Sequence, residues 1–166
     1  DSKFATFEDL LNHELFKKNL NPEQKLVIFS ESLDTVNYLA RRINRKDVIV
    51  VSASDRKKQF KTICENFDAN YKTQLNDYNI IITTDVLAEG VNLHRSNVII
   101  NYDTPWNSTR LMQRIGRVNR IGSKSKKIYN YVFYPSREGN KEINLNSIAL
   151  SKIQTFQTTY GEDNQI

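Results

Sequence analysis

Five short apolar runs recur along the chain: KLVIFS at 25–30, DVIVVS at 47–52, NIIITT at 79–84, NVIINYD at 97–103 and KIYNYVFYP at 127–135. The first four are nearly continuous Val, Ile and Phe, the pattern of strands covered on both faces. The segments between them read as helical: LDTVNYLARRI, then DRKKQFKTICENFDANY, a short DVLAEG, and NSTRLMQRIGRVNR. Strand alternating with helix predicts an α/β domain built on a doubly wound, mainly parallel sheet with right-handed crossovers. Flanking helices are expected at both termini, about 1–21 and 141–160, the first with Phe4, Phe7, Leu10, Leu11 and Leu15 on one face. Phe60, Ile63, Cys64 and Phe67 follow the i, i+3, i+4, i+7 spacing of a helix stripe, which places the single cysteine in core packing.

In such a sheet, ligands bind outside the carboxyl ends of the strands. Those ends read Ser30, Ser52, Thr83-Thr84-Asp85 and Asp103. Hydroxyls and carboxylates therefore gather where the strands stop, either to meet a ligand or to cap the helices that follow.

Length changes the picture little: 166 residues suit one compact domain, read as 1–166 with its core over 25–135. No apolar run is long enough to span a membrane and no leader precedes the first helix, so a soluble, cytoplasmic protein is expected. The chain opens at Asp1 without a methionine, which suggests a piece of something longer. Charge changes the picture more. The net charge is +5, yet 104–137 holds eight Lys and Arg and no Asp or Glu, so the remainder is net acidic. A local excess of this kind points to a specific anionic partner.

The excess centres on RLMQRIGRVNRIG at 110–122, with four arginines and two glycines. On a helix, Leu111, Ile115 and Val118 fall on one side, and Gln113, Arg117 and Arg120 together on the other. Arg110 and Arg114 are expected toward the flank, where replacing them should cost little. A mid-helix Gly116 costs about 1 kcal/mol against alanine, and stacked like charges a few tenths more. A merely solvated face would interleave Glu with Lys instead. A flat anionic group gripped by guanidinium forks, with glycine allowing its close approach, accounts for both costs.

These residues also carry a family resemblance. QRIGRVNRIG at 113–122 resembles the sixth motif of superfamily 2 helicases and translocases, whose DEAD-box form reads H-R-I-G-R-x-x-R. The trailing Arg-Ile-Gly and the preceding DTPWN are more similar to Swi/Snf-type ATPases, bacterial ones especially. ITTDVLAEGVNL at 82–93 is similar to the fifth motif, and LVIFSESLDTVNYL at 26–39 resembles the fourth. The resemblance implies a three-layer RecA-like domain, one of two lobes that bind ATP with Mg²⁺ in the cleft between them. The Gly-rich phosphate loop and acidic magnesium motif belong to the first lobe. Here none of the five glycines precedes a lysine and there is no Asp-Glu dipeptide, so the chain is identified as the second lobe, its partner being the first lobe of the same polypeptide.

By that resemblance Arg117 and Arg120 are arginine fingers for the γ-phosphate, and Gln113 stands at the same cleft. Gly90 lets the backbone approach the nucleotide, and Asn92 occupies the place where DEAD-box relatives contact ribose with Asp. Glu89 and Asp85 hold the loop or meet the nucleotide. Ser30, Thr83 and Thr84 match hydroxyl positions that contact a nucleic-acid backbone, DNA with RNA as the alternative, and Lys124, Lys126 and Lys127 either extend that footprint or are solvated loop lysines. Trp106 reads first as a hydrophobic staple beneath the arginine helix. His13 and His94 have no metal-spaced partners and are given no chemistry. The function expected is therefore half of an ATP-driven motor on nucleic acid, inactive alone. The competing readings are a non-catalytic binding module with a RecA-like shell and an unrelated doubly wound transferase.

Overall fold

The structure, a computed structural model, describes residues 2–103, 107–123 and 125–133. The helix expected over 141–160, Trp106 and Lys124 lie outside the described residues. Five strands, β1 (Leu26–Phe29), β2 (Val48–Val51), β3 (Ile80–Thr83), β4 (Val98–Asn101) and β5 (Tyr129–Val132), form one sheet in the order β2-β3-β1-β4-β5. Every pairing is parallel. Four helices accompany them: α1 (Ser2–His13), α2 (Leu33–Ile43), α3 (Arg56–Phe67) and α4 (Ser108–Val118).

The continuous apolar runs are explained by cover on both faces. Leu26, Ile28, Ile80, Ile82, Val98 and Ile100 pack toward Phe4 and Phe7 of α1 and Val36 and Leu39 of α2. Val27, Phe29, Ile49, Val51, Ile81 and Ile99 pack toward Ile63 and Phe67 of α3 and Ile115 and Val118 of α4. Successive strand residues thus feed opposite layers, and each fully buried aliphatic side chain contributes about 1.5–3 kcal/mol. The chain steps outward from β1 to β2 through α2, then back to β3 through α3. The reversal of direction puts the two helices on opposite faces, as right-handed crossovers require. This is the three-layer α/β arrangement the apolar pattern predicts.

Local signals set the helix limits. The Ser32 hydroxyl accepts from Thr35 N–H at the start of α2, and Asn44, left-handed at φ 50°, closes its end. α3 stops at Phe67 rather than running to Tyr71, because Asp68 turns extended and its carboxylate accepts from Asn70 N–H at 2.9 Å, a turn that competes with the helix. Only the last turns of α3 bury side chains, so Phe60 departs from the stripe expected of it and is 44% exposed. Cys64 is buried, and burial pushes its thiol pKa up, which fits packing rather than reactivity.

At the opposite end of the sheet from the strand exits, Lys25 is buried. Its Nζ donates to the Tyr78 carbonyl at 2.6 Å and lies 5.2 Å from the Phe67 ring centroid. Burial lowers its pKa from 10.5 to about 8, with Arg95 adding to the effect.

Phe67→Ala should destabilise the domain by about 3–5 kcal/mol, whereas Phe60→Ser should stay within about 0.5 kcal/mol, both read from urea midpoints. Between pH 8 and 10.5 the unfolded chain retains a Lys25 proton that the folded chain has shed. Stability should therefore rise through this window, by on the order of 1 kcal/mol per pH unit, and Lys25→Met should flatten that rise.

Candidate functional site

The carboxyl ends of β1, β3 and β4, where the crossovers diverge, converge on α4. Asn107 caps that helix, its side chain accepting from Thr109 N–H at 2.9 Å. Leu111, Ile115 and Val118 then face the sheet as expected. Arg114 does not lie on the flank. Three residues from Leu111 and four from Val118, it shares the inner face of α4 and is fully buried. Its Nε and Nη2 donate to the two carboxylate oxygens of Asp85 at 2.6 and 3.0 Å, and Nη1 donates to Asn101 Oδ1 at 3.1 Å. The guanidinium carbon also sits 5.1 Å from the Phe29 ring centroid. Asn101 continues inward, donating to the Tyr131 carbonyl at 3.2 Å and to Asn130. A polar chain therefore joins α4, the β3 exit, β4 and β5.

Asp85 thus ties the β3 exit to α4. Exposed Arg110 lies 3.7 Å from Asp85 and 3.8 Å from Glu31, so it too stands among carboxylates. Although 104–137 contains no acid, the fold supplies acids from β1 and β3.

Arg117 and Arg120 differ. Arg117 is half-buried, donates from Nη1 to the Val91 carbonyl at 3.2 Å, and leaves Nε without a partner. Burial first, and then Arg120, lower its pKa. Arg120 does not continue the helix with Arg117: α4 ends at Val118, and Arg120 is exposed beyond the cap with Nε donating to Gly116 O at 2.9 Å. Among the described residues neither forms an ion pair.

The expected site residues divide between two cavities. One of about 440 Å³ is lined by Thr84, Asp85, Glu89, Gln113, Arg110 and Glu31 among others. A second of about 370 Å³ collects Asn92, Gly116, Arg120 and His94. Gln113 and Arg120, expected on one row, therefore face different cavities, because the helix ends between them. Gly90 has φ +77°, and a side chain there would strike the Arg56 guanidinium, which donates to the Glu89 carbonyl at 2.7 Å. A Cβ on Gly116 would meet nothing within 4 Å.

The hydroxyls are engaged internally. Ser30 is buried and donates to Asp103, which also accepts from Glu31 N–H at 3.1 Å and from Lys3 Nζ at 3.3 Å. Thr83 is buried and donates to the Val51 carbonyl at 2.9 Å, while the Thr84 hydroxyl accepts from Val86 N–H and caps the short turn Asp85–Leu87. Ser52 bonds Ser54 and Asp55.

Three residues that no sequence pattern singles out for this site stand here in the structure. Arg56 braces the loop at Gly90, Asn101 anchors Arg114, and His94 enters the wall of the second cavity. None of the three had a local signal, whereas Arg114 had one, its helical spacing from Val118.

The chain matches the model of the helicase conserved C-terminal domain over residues 2–122. It belongs to that family. Relatives include the probable ATP-dependent RNA helicase ddx51 of Dictyostelium discoideum, 29% identical over 128 residues, covering 74% of this chain and 23% of the relative. An uncharacterized ATP-dependent helicase of Bacillus subtilis (strain 168), YqhH, is 38% identical over 84 residues, covering 50% of this chain and 14% of the relative. A probable eukaryotic initiation factor 4A of Trypanosoma cruzi (strain CL Brener) is 30% identical over 118 residues, covering 70% of this chain and 28% of the relative. The chain thus spans less than a third of the length of these relatives. Its fold resembles the crystal structure of the C-terminal part of the Fun30 ATPase domain, with a TM-score of 0.59 at 20% identity, over 87% of this chain and 44% of that one. The helicase C-terminal lobe and its RecA-like fold are therefore as the motifs implied. No helix among the described residues is long and apolar enough to cross a membrane.

Within this helicase lobe Arg114 is structural. Removing it strands Asp85 and Asn101, so Arg114→Ala should cost about 3–5 kcal/mol of folding stability, against less than about 1 kcal/mol for Arg110→Ala. Guanidinium chloride unfolding of the two variants checks this. Equal, small losses would contradict a structural Arg114.

Proposed function

We propose that this chain, one domain over 1–166, is the second motor lobe of a nucleic-acid-dependent ATPase of the helicase and translocase type. Arg117 and Arg120 act in it as arginine fingers. The observation that carries this reading is the sorting of the arginines. Arg110 and Arg114 stand against Glu31 and Asp85, whereas Arg117 and Arg120 lie near enough to perturb each other and form no ion pair among the described residues, Glu89 acting on Arg117 only through the field. Two adjacent cations without an ion-pair partner repel, and that repulsion is relieved by an anion placed between them. A γ-phosphoryl group is such an anion, and fixed guanidinium groups stabilise the charge that spreads over its oxygens during transfer.

The other residues support the same reading with graded roles. Gly116 leaves open space beside Arg120, so a ligand can approach the helix backbone. Asn92 lines the same cavity and bonds a ribose hydroxyl in this reading. Gly90 and Glu89 shape the loop that Arg56 braces, and Gln113 lines the neighbouring cavity, poised to bond across the cleft. We assign the Mg²⁺ ligands to the first lobe of the same polypeptide, where the acidic magnesium motif of such enzymes belongs.

We assign the nucleic-acid face to the strand exits, where the Thr84 hydroxyl is half-exposed and Lys124 follows α4 in sequence. Ser30 and Thr83 contribute through the loops they brace, since both hydroxyls are buried. DNA is the track favoured by the likeness of the trailing Arg-Ile-Gly and the preceding DTPWN to Swi/Snf-type ATPases, with RNA the alternative. The lobe alone hydrolyses no ATP in this reading, and the complete enzyme works in the cytoplasm.

In the two-lobe enzyme, Arg117→Ala or Arg120→Ala should reduce steady-state ATP turnover by roughly 10³-fold or more. Lysine at either position keeps the charge but loses the planar fork and should rescue poorly. Circular dichroism should show both variants folded, since neither arginine joins the buried polar chain. Normal turnover in a folded variant would remove the finger assignment.

A further inference from the structure

At the amino ends of the strands, on the side of the sheet covered by α1 and α2, two basic stretches that lie apart in the chain come together. Lys17 and Lys18 stand between α1 and β1, and Arg41, Arg42, Arg45 and Lys46 run from the last turn of α2 to the start of β2. Aromatic rings join the two. The Arg42 guanidinium carbon sits 4.4 Å from the Phe4 ring centroid and 5.7 Å from that of Tyr38, and the Arg45 carbon sits 4.8 Å from that of Phe16. All six cations are exposed. The sheet stands between this patch and α4, so the roles given to Arg117 and Arg120 do not use it.

The acids of these two stretches are already engaged. Asp47 accepts from Arg45 Nε and Nη2 at 2.9 and 2.7 Å and from Asn79 Nδ2 at 3.0 Å, and Glu14 accepts from the Tyr131 hydroxyl at 3.3 Å. Among the described residues Lys17, Lys18, Arg41, Arg42 and Lys46 form no ion pair. The negative end of the α2 dipole accounts for Arg41 and Arg42 in its last turn, but not for the three lysines outside the helix. A merely solvated face would mix signs, whereas 41–46 carries four cations and no acid. Beside these cations Phe16, Tyr38 and Ile43 stay half-buried against the α1–α2 core. A sugar-phosphate backbone would use the cations alone. A peptide that alternates carboxylates with apolar side chains uses both, and guanidinium groups already stacked on rings lose little freedom on gripping a carboxylate.

We propose that this face docks an acidic peptide segment of a partner protein, whose carboxylates pair with Lys17, Lys18, Arg41 and Lys46 and whose apolar side chains lie against Phe16 and Tyr38. Such a partner holds the lobe by its α1–α2 layer and leaves α4 to its own ligand. The inference is independent of the arginine-finger assignment, because the two surfaces are on opposite faces of the sheet.

Fluorescence anisotropy with the full chain tests this with three labelled probes: a peptide of alternating Glu and Leu, the same peptide with Gln in place of Glu, and oligothymidylate. The Glu peptide should bind, more weakly as salt rises, and the Gln peptide should bind roughly tenfold more weakly or not at all. Arg41→Glu combined with Lys46→Glu, at two exposed positions, should weaken the Glu peptide roughly tenfold and affect oligothymidylate less. Lys17→Glu combined with Lys18→Glu, outside any helix or strand, should act in the same way, so the test does not hang on one variant. Circular dichroism checks that both are folded. Equal binding of the Glu and Gln peptides, or no binding of either, would overturn the proposal. So would a Glu peptide that binds both folded variants as tightly as the parent chain. An equal or larger loss of oligothymidylate binding in the two variants would overturn it in favour of a nucleic-acid surface.

Discussion

The Arg114–Asp85 pair is the interaction on which the rest of this lobe depends. Burying a guanidinium costs several kcal/mol, and that cost is offset only when its donors are met. Here they are met by both oxygens of Asp85 and by Asn101, with the Phe29 ring against the guanidinium. Because the three partners belong to the β3 exit, β4 and β1, the pair fixes α4 in rotation and in height against the sheet. Once Arg114 is held inward, the positions of Gln113, Gly116 and Arg117 follow from helical geometry.

The same pair decides which cations remain available to a ligand. Asp85 and Glu31 neutralise the N-terminal half of the arginine cluster, so the positive field is concentrated at the C-terminal end of α4, at Arg117 and Arg120. The backbone is tied there as well, since Leu93 N–H donates to Arg117 O at 2.8 Å. Cations held in this way need little reorganisation when an anion meets them. Among the described residues the Arg120 side chain is held by Gly116 O, and of the two arginines it is the more exposed.

The strand exits show a second economy. Ser30, Thr83, Thr84 and Asp103 satisfy one another and the neighbouring backbone, and Lys3 of α1 adds a charge to Asp103. The N-terminal helix therefore reaches the exit of β4 as well as covering one face of the sheet. Hydroxyls committed in this way shape loops more than they offer themselves to a ligand, so the capping role and the binding role expected of these residues are not exclusive.

By itself the sequence determined the five parallel strands, the helices between them, the inner stripe of α4 and the membership of the family. Each is written in local periodicity or in contiguous motifs: continuous Val and Ile runs mark strands buried on both faces, and Leu111, Ile115 and Val118 mark a helix face. It did not determine what becomes of four arginines that look alike along the chain. That depends on Asp85, 29 residues before Arg114, on Asn101, 13 before it, and on Glu31 at the end of β1. It likewise misjudged Phe60, whose spacing is apolar but whose helix is covered only at its far end. Periodicity is a property of neighbours along the chain. Neutralisation, burial of a charge and the closing of a cavity are properties of neighbours in space, and only the packed sheet brings those together.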